Sequence, residues 1–438
     1  MLEDAVALYL SGERVERRDV CAVKSFIVLR SLLLKGGGTD PLAQVVNVSR
    51  GAGRTPLAEI MRYLPVPSHA VDFSSQTRLA GHSRSVRGVA VLADGRFVSA
   101  SADSTLKVWR SVDSAAEGWC VDSTLRGHTS YVSCVVALED GRIVSCSYDL
   151  TIRVWRDGGQ DWLCEATLRA HRKPVDCVAV LADGRRLVSG SRDRDDWALA
   201  VWTERSRHGG GDGGWDSVQV VRAHGWMAGH RQNVRCVIAF ADGRFASGSE
   251  DHTLKVWREN GARTAWELDA TLGTTNSSDH CAVARNAPFG THTEDVACAA
   301  VLPNGRFVSG SWDNTLKIWA PPRADATGDA MGDAQRFWRV EATLAGHTGA
   351  VTCVVALANG LLVSGSDDRT LRVWEPCDDG AAPVAWECRQ CVFSRCDCIA
   401  LLRDERLVVG SEDKTLTVWG APPGIDRLLS SATFPYDL

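Results

Sequence analysis

The residues of this chain that could do chemistry are histidines, each followed at fixed spacing by a serine and an aspartate. His82, Ser99 and Asp103 form the first set. The same spacing recurs at four further histidines: His128, His230, His292 and His347. Histidine, serine and aspartate are the groups of a nucleophilic triad. A triad serves a single site, whereas this arrangement recurs along the chain. We therefore predict no catalytic residue and expect the sets to be structural.

A long internal repeat carries these sets. The segment VRGVAVLADGRFVSASADSTLKVW ends at Trp109, and VSCVVALEDGRIVSCSYDLTIRVW ends at the next unit's tryptophan. Successive units end at Trp109, Trp155, Trp202, Trp257, Trp319, Trp374 and Trp419. A period of roughly 40–45 residues with extra loop residues is typical of propeller blades built from four strands.

The pattern within the first unit predicts four β-strands. They are Val86–Leu92, Phe97–Ser101, Thr105–Trp109 and one near Trp119–Leu125. Asp94-Gly95 between the first two strands predicts a type I′ hairpin turn, which needs positive φ. Seven such units predict an all-β, seven-bladed β-propeller, because packing the sheets face to face in a ring buries both faces of each one.

The ring needs a fourth strand for the last blade, and either end of the chain could supply it. One candidate is Asp72–Leu79, just before the first unit, and the other is Arg427–Phe434 in the tail. We favour the N-terminal segment, because Leu79 occupies the place that Leu125 and Leu344 occupy before their own units.

Gly-His pairs at the start of four units, each followed 21 residues later by Asp and then by Trp, identify a resemblance. The pairs are Gly81-His82, Gly127-His128, Gly229-His230 and Gly346-His347. Over roughly residues 72–420 the chain resembles the WD40-repeat family of seven-bladed propellers. It departs from the family's pattern in that Arg, Thr, Ala, Glu or Gly follows the final Trp of each unit.

The resemblance implies that each set forms a hydrogen-bond chain within its blade, from Asp through His and Ser to the Trp indole. The implied sets are His82, Ser99, Asp103, Trp109; His128, Ser145, Asp149, Trp155; His230, Ser247, Asp251, Trp257; His292, Ser309, Asp313, Trp319; and His347, Ser364, Asp368, Trp374. In the third unit Asp193 and Asp196 are alternatives, of which we favour Asp193. In the seventh, Val409 replaces the serine.

The resemblance also implies which residues ring one mouth of the central channel. They lie three and five residues after each His and one residue before each Asp. The implied partner-binding residues are Arg87, Tyr131, Tyr148, Asp176, Arg192, Arg235, Glu250, Trp312 and Asp367. Tyr, Trp and Arg dominate interface energetics. We expect Tyr131, Tyr148 and a neighbouring Arg87 to form a contact surface, with a solvated rim as the alternative.

Two groups of cysteines differ in pattern. Six cysteines occur at the same position in the first strand of successive repeats, and we predict that they are core residues. They are Cys134, Cys177, Cys236, Cys298, Cys353 and Cys398. The run CRQCVFSRCDC, with Cys388, Cys391, Cys396 and Cys398, resembles a zinc pattern. We favour buried thiols, because Cys398 already has a core position. Zinc and a redox-sensitive pair remain alternatives, and no metal or other cofactor is predicted.

The repeat does not cover the chain ends, so we predict three parts: a small helical N-terminal extension over residues 1–70, the propeller over 71–420, and a C-terminal tail over 421–438. Val20–Lys35 has helical periodicity and ends at a glycine run, and Thr55-Pro56 begins a second helix. Residues 31–64 also bear a partial resemblance to one ankyrin repeat, and a single repeat cannot bury its own face.

Composition narrows the class of protein. The formal net charge is −5, so no basic surplus favours nucleic acid. No apolar run is long enough to span a bilayer, and the first residues do not read as a secretion signal. We expect a cytoplasmic protein, with the nucleus as the alternative. We predict a non-catalytic scaffold that binds a protein or peptide, as a monomer within a hetero-complex. The alternative is a substrate receptor or ubiquitin-binding module in ubiquitin handling.

Overall fold

A computed structural model describes residues 76–112, 118–193, 198–204, 215–220, 229–261, 265–273, 291–302, 305–322, 338–357, 359–377 and 385–420. Their regular elements are all β-strands, which form seven four-stranded antiparallel sheets. Each sheet is one blade, and neighbouring blades pack through their first strands in a closed ring. The predicted seven-bladed β-propeller is confirmed. The N-terminal helices, the ankyrin-like segment and the C-terminal tail lie outside the described residues.

Blades 1 to 6 each take four consecutive strands. Blade 1 has β2 (Val86–Val91), β3 (Phe97–Ser101), β4 (Leu106–Val112) and β5 (Gly118–Leu125). Blade 2 has β6 (Val132–Ala137), β7 (Ile143–Ser147), β8 (Thr151–Asp157) and β9 (Trp162–Arg169). Blade 3 has β10 (Val175–Val180), β11 (Arg186–Ser191), β12 (Leu199–Glu204) and β13 (Trp215–Val220).

The remaining blades repeat this order, except that the seventh takes its outer strand from elsewhere. Blade 4 has β14 (Val234–Ala239), β15 (Phe245–Ser249), β16 (Leu254–Glu259) and β17 (Trp266–Leu272). Blade 5 has β18 (Val296–Val301), β19 (Phe307–Ser311), β20 (Thr315–Ala320) and β21 (Arg339–Ala345). Blade 6 has β22 (Val351–Ala356), β23 (Leu362–Ser366), β24 (Thr370–Cys377) and β25 (Ala385–Phe393). Blade 7 has β26 (Cys398–Leu401), β27 (Leu407–Gly410), β28 (Thr415–Trp419) and β1 (Gln76–Ala80).

The N-terminal segment closes the ring. Strand β1 pairs antiparallel with β28, with Gln76 opposite Trp419 and Ala80 opposite Thr415. Leu79 is buried in this blade with Leu416. Of the two candidate closing strands, the N-terminal one is therefore correct, although it begins at Gln76 rather than at Asp72. The rival segment in the tail lies outside the described residues.

The core lies between the blades. Every residue of β3, β7, β15, β19 and β23 is buried. These second strands are covered on both faces, so they do not alternate between apolar and polar residues as half-exposed strands do. Across the boundary between blades 1 and 2, Val98 and Leu106 pack with Val132 and Trp155. Each blade thus buries its neighbour's apolar face.

The repeated cysteines pack against second strands. Cys177, Cys236, Cys353 and Cys398 are buried, whereas Cys134 and Cys298 are half-buried. A Cβ atom at Gly248 would lie 2.7 Å from the Cys236 sulfur, so glycine is required there to admit the thiol. Thiols of the first strands therefore fill space beside the small residues of the second strands.

The turn between first and second strands differs from the prediction. In blade 1 the Gly95 N–H donates to the Leu92 carbonyl, and the Leu92 N–H donates to the Arg96 carbonyl. Gly95 has φ of 89°, whereas Asp94 is absent from the residues with positive φ. The turn is thus a three-residue loop with one left-handed residue, and the predicted type I′ turn is wrong. In blade 7, Glu405 takes the glycine's place at φ of 67°.

An arginine after this turn links each of several blades to the next. The Arg142 guanidinium lies 5.9 Å from the Trp215 ring of blade 3. It also binds Glu204 of that blade at 2.8 Å. Four more such arginine–tryptophan contacts cross blade boundaries: Arg96 with Trp162, Arg186 with Trp266, Arg244 with Trp338, and Arg406 with Trp119. The outer-strand tryptophans therefore act in contacts between blades.

Candidate functional site

The His, Ser, Asp and Trp of the five predicted sets form one hydrogen-bond chain per blade. In blade 1, His82 Nδ1 lies 2.9 Å from Asp103 Oδ2, and His82 Nε2 lies 2.8 Å from Ser99 Oγ. The Trp109 indole N–H donates to the same Ser99 oxygen at 2.8 Å. The sets of blades 2, 4, 5 and 6 repeat all three contacts.

The serine and histidine side chains of these hydrogen-bond chains are buried. Ser99 has no exposed surface, and its hydroxyl lies between an imidazole and an indole. Burial opposes ionisation of Asp103, but hydrogen bonds from His82 and Thr105 hold the pKa of that carboxyl well below its usual range. Burial lowers the pKa of His128, His292 and His347. The chains thus satisfy buried polar groups, and no substrate can reach the hydroxyl.

Blade 3 keeps most of the chain. His171 Nε2 lies 2.7 Å from Ser189 Oγ, and Trp202 donates to that oxygen at 2.9 Å. Asp193 is buried and accepts the Arg172 backbone N–H at 2.9 Å. Asp103 of blade 1 accepts the Ser83 backbone N–H in the same way. Asp193 therefore holds the aspartate position that we favoured for it.

Seven of the predicted partner-binding residues form one connected surface across blades 2 to 5. We call it the mouth patch: Tyr131, Tyr148, Asp176, Arg192, Arg235, Glu250 and Trp312. The Tyr131 and Tyr148 ring centroids lie 5.7 Å apart. Tyr131 is 41 % exposed, and Trp312, at the far end of the patch, is 47 % exposed. Large exposed aromatic side chains are suited to binding a partner.

Charged residues join the two aromatic ends of the mouth patch. The Arg192 guanidinium lies 4.7 Å from the Tyr148 ring and 2.9 Å from Asp176. Arg235 lies 3.6 Å from the same Asp176 carboxylate and 5.8 Å from the Trp312 ring. Glu250 binds Arg235 and accepts a hydrogen bond from Asn233 at 2.7 Å. One aspartate thus anchors the arginines of two neighbouring blades.

Asp176 binds both arginines from an almost fully buried position, where ionisation of a carboxyl group is disfavoured. Its side chain is only 7 % exposed. Burial raises the pKa of Asp176, while the two arginines oppose that rise. The Asp176 carboxylate contacts both arginines, which in turn lie beside the rings of Tyr148 and Trp312.

The other two predicted residues, Arg87 and Asp367, lie in a separate charged group between blades 6, 7 and 1. Arg87 lies 3.9 Å from Glu412. A cavity of about 290 Å³ is lined by Asp367, Asp397 and Glu412, together with Arg369 and Arg395. The pKa of Asp397 is raised to about 6, mainly by burial and also by Glu412 and Asp367, while Arg87 opposes the rise. This group therefore combines three carboxylates with three arginines.

The expectation that Arg87 lies beside the tyrosine pair is wrong. Arg84 holds that place, donating to the Tyr131 hydroxyl at 2.9 Å with its guanidinium 5.5 Å from the ring. Arg84 lies two residues before β2, whereas Arg87 is the second residue of that strand, after the fully buried Val86. The Arg84 side chain contacts Tyr131 of blade 2, and the Arg87 side chain lies near Glu412 of blade 7.

The four cysteines of the C-x2-C-x4-C-x-C run do not converge. Cys388 and Cys391 are exposed on β25, whereas Cys396 and Cys398 are buried. Cys388 lies 3.6 Å from Arg372, and Cys396 lies 3.0 Å from Cys353 of blade 6. Among described residues, no three of these thiols lie close enough to share an ion. The prediction of buried thiols is wrong for Cys388 and Cys391, because they lie on an exposed outer strand.

Sequence reasoning missed three kinds of residue. Arg84 has no repeated counterpart, since blades 2 and 3 have Ser130 and Lys173 at its place. The arginines over the outer tryptophans could have been found, because Asp-Gly-Arg recurs at Gly95, Gly141 and Gly243. The proximity of His252, Glu294 and Asp295 depends on two neighbouring blades meeting, which no spacing within one repeat predicts.

The fold and the hydrogen-bond chains define a β-propeller of repeated four-stranded blades. The sequence matches the family described as WD domain, G-beta repeat (WD40) over residues 73–110, 119–156, 162–196, 221–258, 285–320 and 338–375. The chain therefore belongs to the WD40-repeat family.

Curated relatives share part of the chain. A ribosome biogenesis protein WDR12 homolog from Drosophila erecta is 29 % identical over 199 residues, covering 43 % of this chain and 38 % of the relative. Its counterpart from Drosophila persimilis is 28 % identical over 188 residues, covering 41 % and 37 %. The chain thus spans under two fifths of these relatives' length.

A solved structure shares the fold. The crystal structure of the WD40 β-propeller domain of Doa1 superposes with a TM-score of 0.57 at 21 % identity, covering 81 % of this chain and 98 % of that domain. At this identity the similarity shows the architecture alone. Among the described residues, no helix is long and apolar enough to cross a membrane.

Proposed function

We propose that this protein is a non-catalytic scaffold that binds a protein or peptide partner on the mouth patch. The observation that carries the proposal is the connected run from Tyr131 through Asp176 to Trp312, with exposed aromatic rings at both ends. Arg192 and Arg235, held by ion pairs beside Tyr148 and Trp312, lose little freedom on binding, and preorganisation of this kind favours affinity.

The proposed partner belongs to an assembly that acts in ribosome biogenesis, with this protein as a monomer in a hetero-complex. The support is the name of the WDR12 homologs that match the chain. Such a role favours the nucleus over the cytoplasm as the location. The alternative in ubiquitin handling has no support from these relatives, so ribosome assembly is the candidate that we retain.

Affinity capture from an extract of the source cells tests the mouth patch. The double variant Tyr131→Ala/Trp312→Ala removes the two exposed rings, and we expect partners of the unaltered protein to be lost. Phe393→Ala is the matched control, because Phe393 is 84 % exposed but lies on the outer strand of blade 6. Thermal unfolding of each variant checks that the propeller is intact.

The pattern of loss decides the proposal. Partners that include ribosome-assembly factors, disappear with Tyr131→Ala/Trp312→Ala and stay with Phe393→Ala support both the surface and the process. Partners of another kind with the same pattern support the surface and contradict the ribosomal role. If a folded double variant keeps every partner, the mouth patch is not the binding surface.

A further inference from the structure

Three side chains with metal-binding atoms meet at the boundary between blades 4 and 5. His252 lies on the turn between β15 and β16, and Glu294 and Asp295 lie just before β18. One ligand atom from each lies within 4.8 Å of the other two. His252 Nε2 lies 3.8 Å from Asp295 Oδ1. No other blade boundary in the described parts of the chain brings three such groups together.

The backbone at each of these residues is fixed. The His252 N–H donates to the Ser249 carbonyl at 3.2 Å, within a turn where His252 has φ of 64°. The Glu294 carbonyl accepts the Ser311 hydroxyl at 3.1 Å, and the Asp295 carbonyl accepts the Trp312 N–H at 2.9 Å. The side chains are therefore presented by rigid turns, which favours a preorganised site.

The distances are close to those of a bound ion. Donor atoms about 2.1 Å from a tetrahedral ion lie about 3.4 Å from one another. The 3.8 Å between His252 and Asp295 is near this value. All three ligand atoms lie within 4.8 Å of one another, so they need to move only slightly closer to bind one ion. Glu294 is exposed and has a flexible side chain, so it can move inward without disturbing the core.

Two further carboxylates, Glu250 and Glu294, lie near Asp295. Burial raises the pKa of Asp295, and the neighbouring carboxylates Glu250 and Glu294 raise it further. Arg235 and His252 oppose that rise without reversing it. Glu250 is already bound to Arg235 and Asn233. Glu294 and Asp295 thus place two carboxylates near the His252 imidazole.

We propose that His252, Glu294 and Asp295 bind a divalent transition-metal ion that bridges blades 4 and 5. One imidazole and two carboxylates are ligands for Mn²⁺ and Zn²⁺, since carboxylates suit Mn²⁺ and imidazole suits Zn²⁺. Zn²⁺ should bind more tightly than Mn²⁺ at such nitrogen and oxygen donors. This site does not depend on the proposed scaffold function.

Titration of the full-length, metal-free protein with Mn²⁺ tests the site. Free Mn²⁺ gives a strong electron paramagnetic resonance signal that weakens on binding. Mn²⁺ is the right probe because the buried thiols of this chain prefer softer ions. We expect one Mn²⁺ per chain, displacement by Zn²⁺, and a higher melting temperature with Mn²⁺ because a ligand that binds only the folded state stabilises it.

Three variants remove one ligand each: His252→Asn, Glu294→Gln and Asp295→Asn. Asparagine is chosen at position 252 because it tolerates positive φ, and Asn314 holds the equivalent place in blade 5 at φ of 67°. Each variant should weaken Mn²⁺ binding at least about tenfold, the lower end of what loss of even a supporting residue costs at metal sites.

Asp367→Asn is the matched control, because it removes a mouth carboxylate of raised pKa in blade 6 without removing a proposed ligand. It should leave Mn²⁺ affinity unchanged. The proposal is overturned if the protein binds no stoichiometric Mn²⁺, or if folded ligand variants bind it as well as the unaltered chain. It is also overturned if Asp367→Asn weakens binding equally, since the general negative charge of the mouth, rather than one specific site, would then attract Mn²⁺. Glu294→Gln keeps the test valid if other variants unfold, because that side chain is exposed.

Discussion

The guanidinium of Arg142 in blade 2 binds both carboxylate oxygens of Glu204 in blade 3, at 2.8 and 2.9 Å. Asp140 binds the same arginine from its own turn, and the Trp215 ring of blade 3 lies beside it. The Arg142 side chain is only 11 % exposed. One side chain thus combines a bidentate ion pair with a cation–π contact across a blade boundary.

Arg142→Ala should lower the free energy of unfolding by about 2–3 kcal/mol, because it leaves the half-buried Glu204 without its main partner. Arg142→Lys should recover only part of this, since lysine keeps the charge but cannot bind in a bidentate way. Denaturant unfolding measures both. Arg110→Ala is the control, because Arg110 forms an exposed ion pair with Asp122 and should change stability by less than about 1 kcal/mol. Equal losses for Arg110→Ala and Arg142→Ala would contradict this role.

Ser145→Ala tests the buried hydrogen-bond chain of blade 2. The change removes the oxygen that accepts the Trp155 indole N–H at 2.8 Å and that lies 2.8 Å from His128. Because both partners stay buried, we expect a loss of about 1–3 kcal/mol in unfolding free energy. Ser123→Ala on the half-exposed outer strand β5 should change it by less than about 0.5 kcal/mol. A near-neutral Ser145→Ala would mean that the chain contributes little to stability.

Asp176→Asn tests whether the mouth patch depends on an almost buried residue. The neutral amide cannot hold both Arg192 and Arg235, so these side chains should lose their positions under Tyr148 and Trp312. We expect the captured partner to bind about tenfold more weakly, although Asp176 itself offers little surface to a partner. Quantitative binding of the partner to purified variants measures this effect. Unchanged affinity in a folded Asp176→Asn protein would show that the arginines need no anchor.

Asp397→Asn should make stability less sensitive to pH. The pKa of Asp397 is raised to about 6 in the folded protein, so folding favours its protonated form. Its ionisation therefore costs stability progressively as pH rises from about 4 through about 6, and the cost persists above that. After allowance for solvent screening, Asp397→Asn should be more stable than the unaltered chain by about 1 kcal/mol at pH 7 and equal to it at pH 4. Melting curves at several pH values measure the difference, and a difference that does not vary with pH contradicts the assignment.

Truncation tests where the propeller begins. Removal of residues 1–70 keeps β1, so we expect cooperative unfolding to survive. Removal of residues 1–80 deletes β1 and the ion pair between Arg78 and Asp413 at 2.6 Å. The exposed edge of β28 should then promote aggregation, as unpaired strand edges do. Light scattering and thermal unfolding distinguish the two truncated chains, and equal behaviour would argue against a closing role for β1.

The sequence predicted the parts of the structure that repeat. Seven tryptophans with recurring His, Ser and Asp were sufficient to place the blades and their hydrogen-bond partners, because each contact lies within one repeat. Contacts between blades were not predictable in this way. Arg84 rather than Arg87 meets Tyr131, because which side chain crosses a boundary depends on how the preceding turn directs it. The exposure of Cys388 and Cys391 likewise depends on their position on the outer strand β25, which the spacing of the cysteines does not reveal.

The pairing of β1 with β28 has a consequence for synthesis. Residues 76–80 leave the ribosome before any complete blade, but their partner, residues 415–419, is made after all the others. Until residues 415–419 have been synthesised, β1 has no partner strand and the ring cannot close. A contact between segments so far apart in sequence is slow to form. Pairing of β1 with β28 therefore cannot precede synthesis of residues 415–419, and a nascent chain that stalls before Thr415 cannot complete its ring.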